Sequence, residues 1–268
     1  MIKRKSAREI EMMRIAGIIA AGARNVAEKM VTVGATTRSI NRAVHEFIIS
    51  NGATPSFLGY RNFPASICIS VNDEVIHGLP SSRKLLQGDI VSVDIGVTKN
   101  GYIGDCAATF IAGNGNFEAE RLIKTTRECF FEGIKFAIAG NRVSDISGAI
   151  QRHAESNGYS VVREYVGHGV GTKLHESPEV PNYLEIPRKK ADPRLMPGMT
   201  LAIEPMVNAG AAEIKMLDDK WTIVTADGEN SAHYENTILI TENEPEILTV
   251  CMPERSGQVP VRPGGVTP

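Results

Sequence analysis

Cysteine is scarce in this chain: four thiols (Cys68, Cys106, Cys129, Cys251) stand far apart among 268 residues, with no Cys-x-x-Cys pair. That excludes a disulfide framework and a structural zinc knuckle, and it fits a reducing compartment, so a cytoplasmic location is expected. A charge excess is lacking too, since 29 Lys plus Arg face 31 Asp plus Glu and leave a formal charge of -2. Without a long basic stripe to track phosphates, no nucleic acid specificity is expected. Long apolar runs are also missing. Behind the basic start Met1-Ile-Lys-Arg-Lys stand Arg8, Glu9, Glu11 and Arg14, where a signal peptide would need its apolar core, and no stretch approaches the length of a membrane span. What remains is 42% hydrophobic and 22% charged, enough to bury a full core without disulfide or metal staples. One domain over residues 1–252 is expected. The segment 253–268, with four prolines, three glycines and no apolar period, is expected to be a disordered tail.

Ser6-Ala-Arg-Glu9 is a capping box, and Ile10, Met13, Ile18 and Ala21 recur at helical spacing, so a long helix is predicted from Ser6. A second runs from Thr37 to Ser50 and stops at Asn51-Gly52. Strands are predicted at Ser66 to Val71, Ile90 to Val97 and Tyr102 to Ile111, punctuated by Gly88 and Asn100-Gly101. After Gly115 the order repeats, with helices from Phe117 to Ala139 and Ser144 to Asn157 and strands near Val161, Thr200, Ile214, Trp221 and Ser231. The repeat leaves a trace in the residues themselves. Leu85-Leu-Gln-Gly-Asp-Ile-Val-Ser-Val-Asp94 aligns without gaps on Leu195-Met-Pro-Gly-Met-Thr-Leu-Ala-Ile-Glu204, and both end on a carboxylate.

Residues two apart in a strand share a face, so Asp94 lies with Ser92 and Ile90, away from Val91, Val93 and Ile95. Glu204 is set in the same way opposite Leu201 and Ile203, and Asp105 shares its face with Ala107 and Thr109. Any one such acid is more often a strand-end or surface residue. Several acids embedded in apolar strands are another matter, because they cannot all ionise without a compensating cation, and a divalent metal is the economical one. Of six histidines, His45 and His153 lie in amphipathic helices and read as surface or satisfied core residues. His77-Gly-Leu-Pro80 and His175-Glu-Ser-Pro178 match one another across the repeat, as a paired use of imidazole would. His168 sits in Gly167-His-Gly-Val-Gly171, whose glycines suit close backbone approach; the rival phosphate-loop reading lacks the Lys-Ser/Thr that would follow. His233 stands two residues before Glu235 and is left unassigned.

Asn72-Asp-Glu-Val-Ile-His77-Gly, Asp94 with Asp105, Gly167-His168-Gly, His175-Glu, Ile203-Glu204-Pro-Met and Tyr234-Glu235-Asn together resemble the type I methionine aminopeptidases, in the short bacterial form without the N-terminal zinc-binding extension. The resemblance spans Ser6 to Thr249. It implies an α+β "pita-bread" fold, two pseudo-symmetric helix-helix-strand halves around a curved antiparallel sheet. It implies two divalent ions (Co, Mn, Fe or Zn), with Asp94 on one, His168 and Glu204 on the other, and Asp105 and Glu235 bridging. Glu204 would also take a proton from the attacking water, His175 would hydrogen bond to the scissile carbonyl, and His77 would contact the amide or the residue beyond it.

The implied reaction removes the initiator methionine from nascent proteins when the second residue is small and uncharged. The matching methionine slot is Phe57, Tyr60, Phe63, Cys68, Leu174 and Trp221, although the position matching Leu174 is aromatic and that matching Phe57 variable in some relatives; the alternative is that these are ordinary core residues, evenly balanced with the slot for Cys68 and Leu174 taken alone. Expected partners are N-terminal methionyl peptides and nascent chains, with a transient ribosome contact, no membrane, and the protein a monomer. Two rivals share the fold. Xaa-Pro aminopeptidases and creatinase-like hydrolases usually carry a further N-terminal domain, for which a catalytic fold opening at Ser6 leaves no room; non-catalytic scaffolds typically lose ligands that are all retained here.

Overall fold

The computed structural model describes residues 2–184 and 192–250; the tail expected over 253–268 lies outside the described residues. Helix α1 (Ala7–Met30) starts at the capping box, with the Ser6 side chain accepting from the Glu9 backbone and the Glu9 carboxylate accepting from Ser6 N at 2.8 Å. Apart from Met13, its buried side is built from small residues, Ala16, Gly17, Ala20, Ala21, Ala23 and Ala27, while Ile10 and Ile18 are only half-buried. The small residues let a strand come close: a Cβ on Gly104 would sit 2.6 Å from Gly17 Cα. Helix α2 (Thr37–Ser50) is capped by Thr36, and Gly52 follows it at φ +61°. The strands of this half are β1 (Thr54–Pro55), β2 (Cys68–Val71), β3 (Glu74–Ile76), β4 (Ile90–Lys99) and β5 (Tyr102–Ile111).

In the second half α3 (Phe117–Ile134) ends earlier than the apolar pattern predicts. Tight turn bonds, Phe136 N to Gly133 O and Ala137 N to Ile134 O, curl the chain inward there so that Ala137 becomes fully buried. Next come α4 (Val143–Ser156), β6 (Ser160–Val161), β7 (Gly167–Gly169), β8 (Glu176–Val180), β9 (Thr200–Ile203) and β10 (Met206–Asn208). The chain closes with β11 (Ile214–Met216), β12 (Ile223–Thr225), β13 (Ser231–His233), β14 (Glu235–Leu239) and β15 (Glu246–Ile247). Trp221, expected in a strand, stands just before β12 in a turn whose backbone N–H groups at Trp221 and Thr222 are both accepted by Asp219.

The repeat seen in the sequence is a repeat of hydrogen bonds. Gly34 N donates to Leu85 O at 2.8 Å and Gly140 N to Leu195 O at 2.9 Å; Leu85 N donates to Ala35 O and Leu195 N to Asn141 O. Gly88 and Gly198 hold matching φ values of +87° and +88°, and each donates at 2.9 Å to the carbonyl of the residue just after a central strand, Ala112 after β5 and Ile240 after β14. A positive φ at these turns is what glycine supplies without strain.

The main sheet runs β1-β4-β5-β14-β9-β7-β8, with β2 also on β4 and β15 on β14, and its pairings are antiparallel. Two smaller three-stranded sheets flank it, β13-β10-β6 and β11-β12-β3. Helices α1 and α2 cover Val91, Val93, Ile95 and Val97 of β4, and α3 and α4 cover Leu201 and Ile203 of β9, so each apolar face lies against its own helix pair. Ile90 departs from the alternation and joins the core of the second half. The opposite face of the sheet carries the acids.

Candidate metal centre

Strand register assembles the site. Cys68 pairs with Asp94, Asp94 with Ala107, and Ala107 with Glu235, which makes one rung across β2, β4, β5 and β14. Asp105 lies two residues from Ala107 on the same face of β5. On the far side His168 pairs with Ala202, two residues before Glu204 at the end of β9. Asp105, His168 and Glu235, exposed by only 3%, 8% and 2%, each place one ligand atom so that all three lie within 4.8 Å of one another. Glu204 joins them through Oε1, 3.4 Å from His168 Nε2.

The glycines around His168 are there for space. A Cβ on Gly167 would lie 2.5 Å from Ala202 O, and one on Gly169 would lie 2.5 Å from Ser177 O. This packing orients the imidazole, and His168 Nδ1 lies 2.9 Å from Gly169 O. A carbonyl only accepts, so Nδ1 carries the proton. Burial, together with His175, holds the His168 pKa down to about 3, so the ring is neutral and Nε2 presents a bare lone pair.

The acids show the opposite strain. Burial raises Asp94 to about 7, and burial plus the neighbouring carboxylates raise Asp105, Glu204 and Glu235 well above the ordinary range. Asp94 Oδ1, Asp105 Oδ1 and Glu235 Oε1 are buried without a hydrogen-bond partner among the described residues. Ionised, the acids would set acceptor against acceptor, a carboxylate oxygen against an imidazole lone pair, so without a cation they must take up protons. A cation is what such a set lacks, and one imidazole among carboxylates is a donor set that divalent metals take.

Two threonines fix the seam between the halves. Thr237 Oγ1 accepts from Asp105 N at 3.0 Å and donates to Asp105 O at 2.9 Å. Thr109 does the same from the other strand, accepting from His233 N and donating to His233 O, both at 2.9 Å. The pseudo-twofold axis thus runs between β5 and β14, with Asp105 and His233 in equivalent places. His233 was unassigned from sequence; its Nε2 is buried without a hydrogen-bond partner among the described residues and lies 3.8 Å from Glu204 Oε2.

A cavity of about 270 Å³ opens beside the cluster. Phe57, Tyr60, Phe63, Cys68, Leu174 and Trp221 all line it, as do His77 and His175. Trp221 meets the Phe63 ring edge-on at 5.0 Å, and burial pushes the Cys68 thiol up, so that side of the cavity is apolar. Tyr60 Oη lies 2.8 Å from His175 Nδ1, and the two rings stack at 5.4 Å. His77, at φ +59°, stands edge-on to Tyr165 at 5.5 Å, with burial and His175 holding its pKa down to about 4. Sequence reasoning missed Tyr165 and Arg61, which also line the cavity, because Tyr165 lies in an irregular loop and Arg61 in a distorted single 3-10 turn, neither with a period or motif. The two histidines read as bland stay apart from this site, His45 on Ser66 at 2.8 Å and His153 on Glu128 at 3.2 Å.

The model of metallopeptidase family M24 matches residues 11–242. A methionine aminopeptidase of Clostridium perfringens is 55% identical over 250 residues, covering 93% of this chain and 99% of its own length. Methionine aminopeptidase 1 of Bacillus subtilis is 49% identical over 249 residues, covering 93% and 99%. Among solved structures, a methionine aminopeptidase of Thermotoga maritima superposes with a TM-score of 0.89 at 44% identity, covering 93% of this chain and 99% of that one. Fold, buried acid cluster and relatives converge: this chain belongs to metallopeptidase family M24, among its methionine aminopeptidases, and is a metallo-aminopeptidase.

Proposed function

We propose that this chain removes the N-terminal methionine of peptides and nascent proteins whose second residue is small and uncharged. The observation that carries the reading is the unsatisfied acceptor cluster at the wall of a cavity lined by rings and a thiol. Asp94, Asp105, His168, Glu204 and Glu235 would hold two divalent ions, drawn from Co, Mn, Fe or Zn. Such ions, when bound, lower the pKa of a water and polarise a carbonyl. Glu204, whose carboxylate is raised toward proton uptake, takes the proton of the attacking water. Tyr60 donating to His175 Nδ1 leaves the proton on Nε2, which then hydrogen bonds to the carbonyl oxygen as negative charge develops there. His77, braced on Tyr165, contacts the amide nitrogen of the same bond or the residue beyond it.

The apolar cavity takes the thioether side chain, with sulfur against the Phe63 and Trp221 rings. The free α-amino group lies against the carboxylates, which restricts the enzyme to chain ends. A cytoplasmic monomer that meets nascent chains in transient contact with the ribosome completes the reading. Purified protein with Mn or Co should release methionine from Met-Ala-Ser, act weakly on Met-Ile-Ser and leave Ala-Pro peptides intact. No methionine release with any of several divalent metals would refute it, and preferential cleavage of Ala-Pro would move the chain to another substrate class.

A further inference from the structure

Outside the cavity, one buried ion pair has no part in the chemistry above. Lys5 Nζ lies 2.9 Å from Glu176 Oε2, and the two side chains are only 5% and 6% exposed. Burying such a pair gains little stability over apolar packing, so its use has to be sought in its placement. The other carboxylate oxygen, Glu176 Oε1, accepts from Thr172 N at 3.1 Å and Lys173 N at 3.3 Å, closing the turn 171–176 from inside. That turn is also tied to β5, since Gly171 O accepts from Ile103 N at 2.9 Å. It carries Leu174 and His175, both on the cavity wall.

From the other side the N-terminal arm is anchored on the turn that leads into β9. Lys5 N donates to Gly198 O at 2.6 Å, and Arg4 Nε donates to Pro197 O at 2.7 Å. Gly171 leaves the room the pair needs, because a Cβ there would lie 2.7 Å from both Lys5 Cε and Glu176 Oε1. The third glycine of Gly167-His-Gly-Val-Gly171 therefore serves the ion pair, whereas the first two serve His168.

We propose that Lys5 and Glu176 are positioning residues, a latch by which the arm before α1 holds turn 171–176 so that Leu174 and His175 meet the substrate in register. The proposal rests on the roles given to Leu174 and His175 above. Its first test needs neither metal nor substrate. In metal-free Lys5→Met, amide hydrogen exchange at Thr172 and Lys173 should quicken roughly ten-fold while amides of β4, and of β5 other than Ile103, keep their rates. In the metal-loaded enzyme, Lys5→Met and Glu176→Ala should each lower kcat/KM on Met-Ala-Ser about ten-fold or more, with Mn affinity by calorimetry unchanged.

The double variant should be no worse than Glu176→Ala alone, because both changes undo one contact. Unchanged exchange at Thr172 and Lys173, additive losses in the double variant, or a loss of Mn affinity matching the loss of activity would each overturn the latch. Should Glu176→Ala fail to fold, Lys5→Met decides by exchange and kinetics together. A wild-type protein that releases no methionine would sink the functional reading, while the exchange measurement would still judge the latch.

Discussion

Replacing Thr237 by valine keeps the shape of the side chain and deletes a hydroxyl that serves both backbone groups of Asp105, at 3.0 and 2.9 Å. Thr237 is fully buried and Asp105 only 3% exposed, so no water takes over the two bonds. An unsatisfied buried backbone group costs about 1–3 kcal/mol, which puts the loss for two at roughly 2–6 kcal/mol. At about 2–4 °C per kcal/mol for a chain of this size, the midpoint of thermal unfolding should fall by about 4–24 °C. Thr109→Val provides the matched control, since it strips the same two bonds from His233 and one more to Ser92 at 2.8 Å. The two variants should lose comparable stability in the metal-free state. They should part company in calorimetry with Mn: Thr237→Val frees a liganding strand and should bind about 10–100-fold more weakly, the range found when partners of a ligand are removed. Thr109→Val should bind nearly as the parent does. Equal loss of affinity in the two would refute the reasoning, because it would make the effect one of general loosening.

The division of the histidines gives a second prediction: His168→Ala should lose divalent-ion affinity by calorimetry, whereas His175→Ala should keep it and lose about 10²–10³-fold in kcat, and the reverse pattern would contradict both assignments. The acids predict an unusual pH response. Because burial lifts Asp94 from 3.8 to about 7 and lifts Asp105, Glu204 and Glu235 as well, the folded metal-free protein binds protons between about pH 4 and 7 that the unfolded chain releases. The acids should therefore add stability as pH falls, but His77, His168 and His233, held down from 6.5 to about 4, 3 and 3 by burial, take it away once the unfolded chain binds their protons below about pH 6.5. The rise should thus be confined to the interval above that pH, and saturating Mn, which takes the place of the protons on the acids, should abolish it. Thermal midpoints at about pH 6.5 and 7.5, with and without Mn, check this; a metal-free midpoint that rises with pH across that interval would speak against the buried acid cluster.

Much of this was legible in the residues because it rests on local rules. The Ser6 capping box, Thr37–Ser50 and the alternation of β4 are written in positions two, three and four apart, and each forms where it was expected. The alignment of Asp94 on Glu204 survives as matched hydrogen bonds at Gly88 and Gly198, since a positive φ cannot be had from most other residues. Contacts between distant segments were not legible. Nothing near Thr237 in sequence says that its hydroxyl will hold Asp105, and nothing near Lys5 names Glu176 as its partner. The short strands β7, β8, β10 and β14 escaped for the same reason: their limits are set by neighbours across the sheet and leave no period of their own.

The rung that joins β4, β5 and β14 has a consequence for how the molecule comes into being. During synthesis β4 and β5 are complete long before β14 exists, so Asp94 and Asp105 first stand together with neither Glu235 nor His168 beside them. A half-made chain therefore offers two acids without the imidazole of His168, a poor grip for any ion. Pairings so far apart in sequence are also the slow ones to form. Metal capture then belongs to the last stage of folding, and by mass action it stabilises the finished molecule while leaving its first half unaided. A shortage of metal would show itself first as incomplete closure of the seam between the halves.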